Sequence, residues 1–240
     1  MHEALTLAEE LSHPFSLAFA LNYAAVLNQF LRDVPAVQEQ AEALMTLARE
    51  QGFPVFLVLG TMFRGWVLVE QGQGEAGIAQ IRQGIAAKQT TGTELGRPGD
   101  LAQLAVAYGK MGQVVEGLSV LVEALAVVDK TGERMYEADL YRLKGELLLA
   151  QHSRVGIAHP TEKEDAEACF LKAIEVTKRQ QAKSWELRAS TSLARLWQQQ
   201  GKAKEAHEML SAVYNWFTEG FDTKDLHEAK ALLDSLASNV

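Results

Sequence analysis

Apolar side chains recur every three or four residues along most of this 240-residue chain, as in Leu118, Leu121, Leu125 and Val128, or Leu140, Leu143, Leu147 and Ala150. That spacing places them on one stripe of an α-helix, and runs of about 17 to 20 residues are too long for strands. The interruptions are themselves regular. Leu7-Ala8-Glu9-Glu10-Leu11-Ser12-His13-Pro14 matches Leu47-Ala48-Arg49-Glu50-Gln51-Gly52-Phe53-Pro54 at an offset of 40, and Gly52, Gly92 and Gly132 continue the interval. A second series, Arg32, Gly72, Gly112 and His152, falls midway between them. Two breaks per period mean two helices per unit.

The next step, from His152 to Gly201, is 49, and the nine extra residues are placed in the polar stretch Ser153 to Lys163, which holds Gly156 and Pro160. Beyond it the register resumes, with Tyr136-Glu137 matching Trp185-Glu186 and Gly145 matching Ala194. The pattern predicts first helices over about 14–31, 54–71, 98–111, 134–151 and 183–200, and second helices over about 1–12, 35–51, 74–91, 114–131, 163–181 and 203–219. A last helix over 222–238 has Asp222 or Thr223 at its start as cap. The organisation expected is a single domain over 1–240: a half repeat 1–12, repeats at about 14–52, 54–92, 98–132, 134–181 and 183–220, and a capping helix 222–238.

Within the unit, small residues recur where helices must approach closely. The first-helix column is Ala25, Gly65, Ala105, Gly145 and Ala194, followed three residues on by Asn28, Leu68, Tyr108, Leu148 and Trp197. The second-helix column is Val37, Gly77, Gly117, Ala166 and Ala206, followed four residues on by Ala41, Ile81, Leu121, Phe170 and Leu210. Small then large in both helices resembles the tetratricopeptide (TPR) repeat, with a period of 40 where that repeat has about 34. The fold class this implies is all-α, a right-handed superhelical solenoid of antiparallel helix pairs. Longer stretches, among them Leu17-Ala18-Phe19-Ala20-Leu21-Asn22, Glu70-Gln71-Gly72-Gln73-Gly74-Glu75, Tyr141-Arg142-Leu143-Lys144-Gly145-Glu146 and Trp216-Phe217-Thr218-Glu219-Gly220-Phe221, resemble the C-terminal TPR-like region of large bacterial signalling proteins that carry adenylate/guanylate cyclase and AAA-type ATPase domains. What that resemblance implies is a regulatory appendage. Neither a cyclase nor an ATPase domain is present in these residues, so neither activity carries over.

Composition agrees with helix: alanine (34) and leucine (32) fill 66 of 240 positions and proline only 5. A net charge of -8 argues against a general nucleic-acid or anionic-membrane binder. The longest apolar stretch, Val55 to Val69, is shorter than a membrane span and carries Arg64. Met1-His2-Glu3 opens no signal peptide, so a cytoplasmic location is expected. The single cysteine, Cys169, excludes intramolecular disulfides and reads as a small buried hydrophobe.

Motifs with chemical meaning dissolve into the repeat. Gly72-Gln73-Gly74-Glu75-Ala76-Gly77 satisfies GxGxxG with Glu94 about twenty residues on, but Gly72 is equivalent to Gly112 and Gly201, which end helices, whereas a dinucleotide turn follows a strand. No P-loop sequence occurs, Gly109-Lys110-Met111 being its nearest fragment; His227-Glu228 has Ala231 where HExxH places its second histidine; no GxSxG exists. Glu162, Glu164, Asp165 and Glu167 open a helix, where negative charge meets the positive end of the dipole, and Thr161 with Glu164 fits a capping box. No catalytic residue, cofactor or metal site is expected.

One segment differs in sign. From Lys178 to Lys204 seven basic residues face one acid, Glu186, a local +6 that leaves -14 for the remainder. A solvated helix face accounts for most such runs; the functional alternative is a docking patch for an acidic peptide or for the chain's own acidic half. First helices line the concave face of such a solenoid, and the column positions select Asn22, Trp66, Arg142, Glu146, Arg188 and Arg195 as groove contacts, apolar toward the N-terminal half and charged toward the C-terminal half.

The function expected is therefore a non-catalytic protein-interaction module that takes a peptide, a protein partner or other domains of its own polypeptide, with no nucleic acid and no membrane. The alternative is a small-molecule sensor enclosing its ligand near Met62, Trp66 and Tyr108. Residues 3–11 match second helices and have no first-helix partner ahead of them, so their apolar face is expected to be open unless something N-terminal covers it.

Overall fold

The computed structural model describes residues 2–90, 95–155 and 160–238, with side-chain surroundings for all of these except His2, Glu9, 152–155 and 160–162. The described residues form α-helices and connecting turns, without a strand. They pack as two compact units, 1–111 and 112–240. Unit 1 holds α1 (His2–Glu10), α2 (Pro14–Leu31), α3 (Val34–Gln51), α4 (Pro54–Glu70), α5 (Gly74–Thr90) and α6 (Arg97–Lys110). Unit 2 holds α7 (Val114–Thr131), α8 (Glu137–Val155), α9 (Pro160–Gln180), α10 (Lys183–Gln199), α11 (Ala203–Tyr214) and α12 (Lys224–Ala237). Within each unit every helix packs on the next along the chain, and first helices also touch first helices: α2 with α4, α4 with α6, α8 with α10, and α10 with α12.

The periodic breaks are helix ends in the left-handed conformation. Ser12, Arg32, Gly52, Gly72, Gly112, Gly132, Gln181, Gly201 and Gly220 all have positive φ and form one series of chain reversals, whereas His152, expected as a break, lies inside α8. Gly92 and Gly156 lie outside the described residues, as does Glu94 of the GxGxxG reading. That reading fails on position: Gly72 follows helix α4, Gly74 opens α5, and no strand precedes them. Five helices start within a turn of a proline, Pro14, Pro35, Pro54, Pro98 and Pro160, where the missing N–H has no helical acceptor to satisfy.

Two boundaries differ from the sequence expectation. The described parts of the insertion, 153–155 and 160–163, are helix, because α8 runs on to Val155 and α9 begins at Pro160. Proline at a first helical position and acids in the turn that follows favour that early start; the side chain of Thr161, proposed for a capping box, is outside the described set. At the other end α11 stops at Tyr214 rather than 219. There Trp216 and Phe217 stack edge to face with centroids 5.2 Å apart, and Phe217 turns back onto the cluster around Leu210 and Val213. Thr223 does precede α12, but its hydroxyl donates to the Gly220 carbonyl and caps no helix N–H.

The small columns are the closest approaches. Ala25, Ala105 and Ala194 of the first-helix column are 0% exposed, as are Val37, Ala166 and Ala206 of the second. The large column four residues beyond, Ile81, Leu121, Phe170 and Leu210, is equally buried. A Cβ on Gly77 would stand 2.5 Å from the Gly65 carbonyl oxygen, and one on Gly145 would stand 2.6 Å from the Phe170 ring. Glycine at these positions is therefore a packing requirement between helix backbones. Each fully buried Leu, Ile or Phe contributes roughly 1.5–3 kcal/mol, so these columns carry much of the hydrophobic stabilisation.

Candidate partner-binding surface

The six groove residues fall into two environments. In unit 1, Asn22 on α2 is partly buried, with its Oδ1 lacking a hydrogen-bond partner. Trp66 on α4 is 7% exposed and packs with Ala18, Ala25, Phe63 and Val67. The expectation of Trp66 as an exposed contact is thus corrected: it is core, because α4 is apolar on several sides and is flanked by α2, α3, α5 and α6. Over the same face Gln103 of α6 donates from Nε2 to Gln29 Oε1 of α2 at 3.2 Å, joining the helices on either side of α4. The other atom of each amide, Gln29 Nε2 and Gln103 Oε1, is buried without a partner.

In unit 2 the first helices carry a polar seam. Arg142 lies between Asp139 and Glu146 on its own helix, with Nε donating to Asp139 at 2.7 Å and Nη1 to Glu146 at 2.7 Å. Burial opposes its charge, but the two carboxylates outweigh that and hold the guanidinium well above its ordinary pKa. Ser192 of α10 donates to Glu146 at 2.8 Å and so ties the triad to the next first helix. From α10, Arg188 Nε donates to Asp225 at 2.6 Å, Arg195 Nη2 to Glu228 at 3.1 Å and Gln198 to Ser235 at 3.0 Å, all on α12. Arg188 also lies over the Trp185 ring, 5.1 Å from its centroid.

The basic segment consequently meets acids of its own unit. Arg179 pairs with Glu137, Lys183 with Glu186, and Lys202 with Glu167, besides the two arginines held by α12. Sequence reasoning missed Asp225 and Glu228 as their partners. The available signal was the register, since α12 begins 41 residues after α10 and stands where another first helix would. The matched pairs Tyr136-Glu137 and Trp185-Glu186 are likewise a structural repeat: both glutamates are buried, each with a basic partner, and the two rings meet edge to face at 6.4 Å.

Among solved structures the chain is similar to BtubC (BKLC) from P. vanneervenii, with a TM-score of 0.57, 16% identity, and 89% of this chain and 90% of that one covered. It is also similar to a Podosopora anserina protein assigned as a kinesin light chain with nearly identical TPR-like repeats, at a TM-score of 0.54, 17% identity and 93% and 97% coverage. The fold is that of a TPR-like repeat protein. No family model matches the sequence. An uncharacterised protein of Rhizobium meliloti (strain 1021) is 23% identical over 193 residues, which are 80% of this chain and 18% of that protein, so the chain spans less than a fifth of the relative's length.

No group of three or more His, Cys, Asp or Glu among the described residues could hold a metal ion. Cys169 on α9 is half-buried, with its thiol pushed up by burial and only partly relieved by Lys144. No helix among the described residues is long and apolar enough to cross a membrane.

Proposed function

We propose that this chain is a non-enzymatic protein-interaction module whose contact surface is the first-helix face of α8, α10 and α12. The observation that carries this reading is the ladder of positioned charges there, with Glu146, Arg195 and Glu228 at its exposed rim. The Arg195–Glu228 pair has side chains 47% and 42% exposed. A pair so exposed is worth about 0–1 kcal/mol, so a partner's carboxylate can replace Glu228 at little cost while the arginine is already oriented. Arg188 and Arg142, more enclosed, hold the helix faces in register behind that rim. The partner that fits is an extended peptide with an acidic segment, from another protein or from elsewhere in the same polypeptide. Placement within a signalling protein having cyclase and ATPase domains rests on sequence resemblance; membership of some larger polypeptide is supported by the length of the Rhizobium meliloti relative.

The test is titration of the 240-residue chain with a fluorescein-labelled peptide of five apolar and five acidic residues, followed by backbone NMR. Shifts should centre on Glu146, Ser192 and Arg195, Arg195→Ala should weaken binding by about tenfold, and a peptide with Gln in place of its acids should not bind. Shifts confined to second helices, or binding indifferent to Arg195→Ala and Arg142→Gln, refute the surface.

A second reading, a small-molecule sensor, draws on the unpartnered amide atoms of Asn22, Gln29 and Gln103 in unit 1. Buried donors and acceptors without partners suit a polar ligand beside Met62 and Trp66. A thermal-shift screen against metabolites separates the two, because a ligand of the folded state raises Tm.

A further inference from the structure

The N-terminal face of unit 1 is apolar and open. On α2, Phe15, Phe19, Tyr23, Leu27 and Leu31 form a ridge at four-residue steps, and their exposures are 52%, 50%, 57%, 44% and 42%. Phe19 and Tyr23 lie ring against ring there, with centroids 4.7 Å apart. Leu7 on α1 and Leu11 in the turn after it are 55% and 64% exposed. A soluble surface seldom carries contiguous apolar area of this kind without an occupant.

The repeat says what the occupant is. Forty residues on, the counterparts of Tyr23 and Leu27 are Phe63 and Val67 of α4, 4% and 3% exposed. They are covered because α2, the preceding first helix, packs on α4 with a face that carries Ala18 and Ala25, flanked by Leu21. The single position equivalent to Leu27 is also buried in α6, where Ala107 is 1% exposed and the preceding first helix α4 is in contact, and in α10, where Leu196 is 1% exposed and α8 is in contact. Between α2 and α4 the join sets the large side chains Phe63 and Val67 against a face that carries Ala18 and Ala25. Independently, α1 has the sequence of a second helix, and its Leu7 is open where the equivalent Leu47 packs on the core.

We propose that the α1–α2 face is an internal joint, covered in the intact protein by an amphipathic first-type helix from polypeptide N-terminal to these residues. That helix offers alanine or glycine at i, i+3 or i+4, and i+7, flanked by leucine or valine, toward Phe19, Tyr23 and Leu27. The Rhizobium meliloti relative holds its matching stretch within a much longer polypeptide, which supplies the precedent for such a neighbour. A second copy of this chain fits less well. Two α2 ridges would meet large on large, and the apolar residues of α12, Leu226, Leu232, Leu233 and Leu236 among them, are already buried in its own unit. An anionic membrane fits less well again, since residues 2–31 contain no lysine or arginine and include Glu3 and Glu10.

The experiment places a photo-crosslinking benzoylphenylalanine at Tyr23, and separately at Leu27, in the full-length protein that contains these residues; both sites are exposed, and helical circular dichroism checks folding. The expected product is an intramolecular crosslink to a segment preceding residue 1, together with amide exchange in α2 at least about tenfold slower than in the 240-residue chain alone. A reading frame that starts at Met1, a crosslink to a second copy, to lipid or to another protein, or equal exchange in the two chains overturns the proposal. None of these outcomes bears on the α8–α10–α12 surface, whose peptide test is independent.

Discussion

At the scale of single residues, the identity of a side chain in this protein is set mostly by how much room two backbones leave. Gly77 faces the Gly65 carbonyl so closely that an added Cβ would sit 2.5 Å from it and from Val69 Cγ2. Gly77→Ala is expected to cost about 1–3 kcal/mol, seen as a lowered Tm; an unchanged Tm would show that the helices part freely. Gln181 marks the opposite case. It sits at φ 55° in a series otherwise occupied largely by glycine, and it is exposed. Gln181→Gly should therefore raise stability by about 0.5–1 kcal/mol in denaturant titration, because the left-handed strain removed exceeds the backbone entropy added. Cys169 gives a pH readout. Its folded pKa is raised by burial, so less thiolate is present at pH 8 than in a free cysteine. Iodoacetamide should react more slowly with the native chain than with the unfolded one, the gap narrowing as pH rises past the raised pKa.

Among the elements, α12 does more than close the last helix pair. Its apolar side, including Leu226, Ala229, Leu233 and Leu236, completes the cluster with Leu187, Leu210 and Val213. Its polar side offers Asp225 and Glu228 to Arg188 and Arg195. The two roles can be separated. A chain ending at residue 221 should lose several kcal/mol and aggregate, since five or more apolar side chains lose their cover. Asp225→Asn with Glu228→Gln should keep the fold and cost about 2 kcal/mol or less, while strengthening binding of an acidic peptide, measured by fluorescence anisotropy. Loss of the fold in the double variant would mean that the pairs are structural and would count against the proposed surface. The helix itself was legible in its leucines; the partners of its acids were not, because a repeat register predicts which helices adjoin but not which side chains reach across.

For the whole molecule, the pattern of neighbour-on-neighbour contacts makes stability local. Within unit 2, α12 touches α10 and α11, whereas Gly145 of α8 stands against Phe170 of α9. Gly145→Ala should accelerate amide exchange in α8 and α9 far more than in α12, as expected where each repeat is stabilised chiefly by its neighbours. Uniform acceleration across unit 2 would indicate a single cooperative block. Where a partner binds is decided at this scale as well. Trp66 and Arg142 occupy equivalent stretches of the repeat, yet one is core and the other sits in a charged seam. The difference comes from the apolar helices around α4 and from the carboxylates that α8 itself places beside Arg142.

Sequence alone determined the helical class, the 40-residue register, the two breaks per unit and the columns of small residues. All of these follow from local backbone preference and from the need of each helix to bury one stripe against its neighbours, and both are written in residue spacing. Only the tertiary structure decided which of the predicted groove residues remain accessible. It placed Trp66 in the core, tied Glu146 to Ser192 of the next first helix, and supplied Arg188 and Arg195 with partners from α12. It also left Tyr23 and Leu27 open while burying their counterparts Phe63 and Val67. Exposure and charge pairing depend on contacts between residues far apart in the chain, as in Arg188 with Asp225 at 37 positions and Ser192 with Glu146 at 46. Periodicity brings such residues near one another, but the atoms that meet depend on the rotation and crossing of each helix pair.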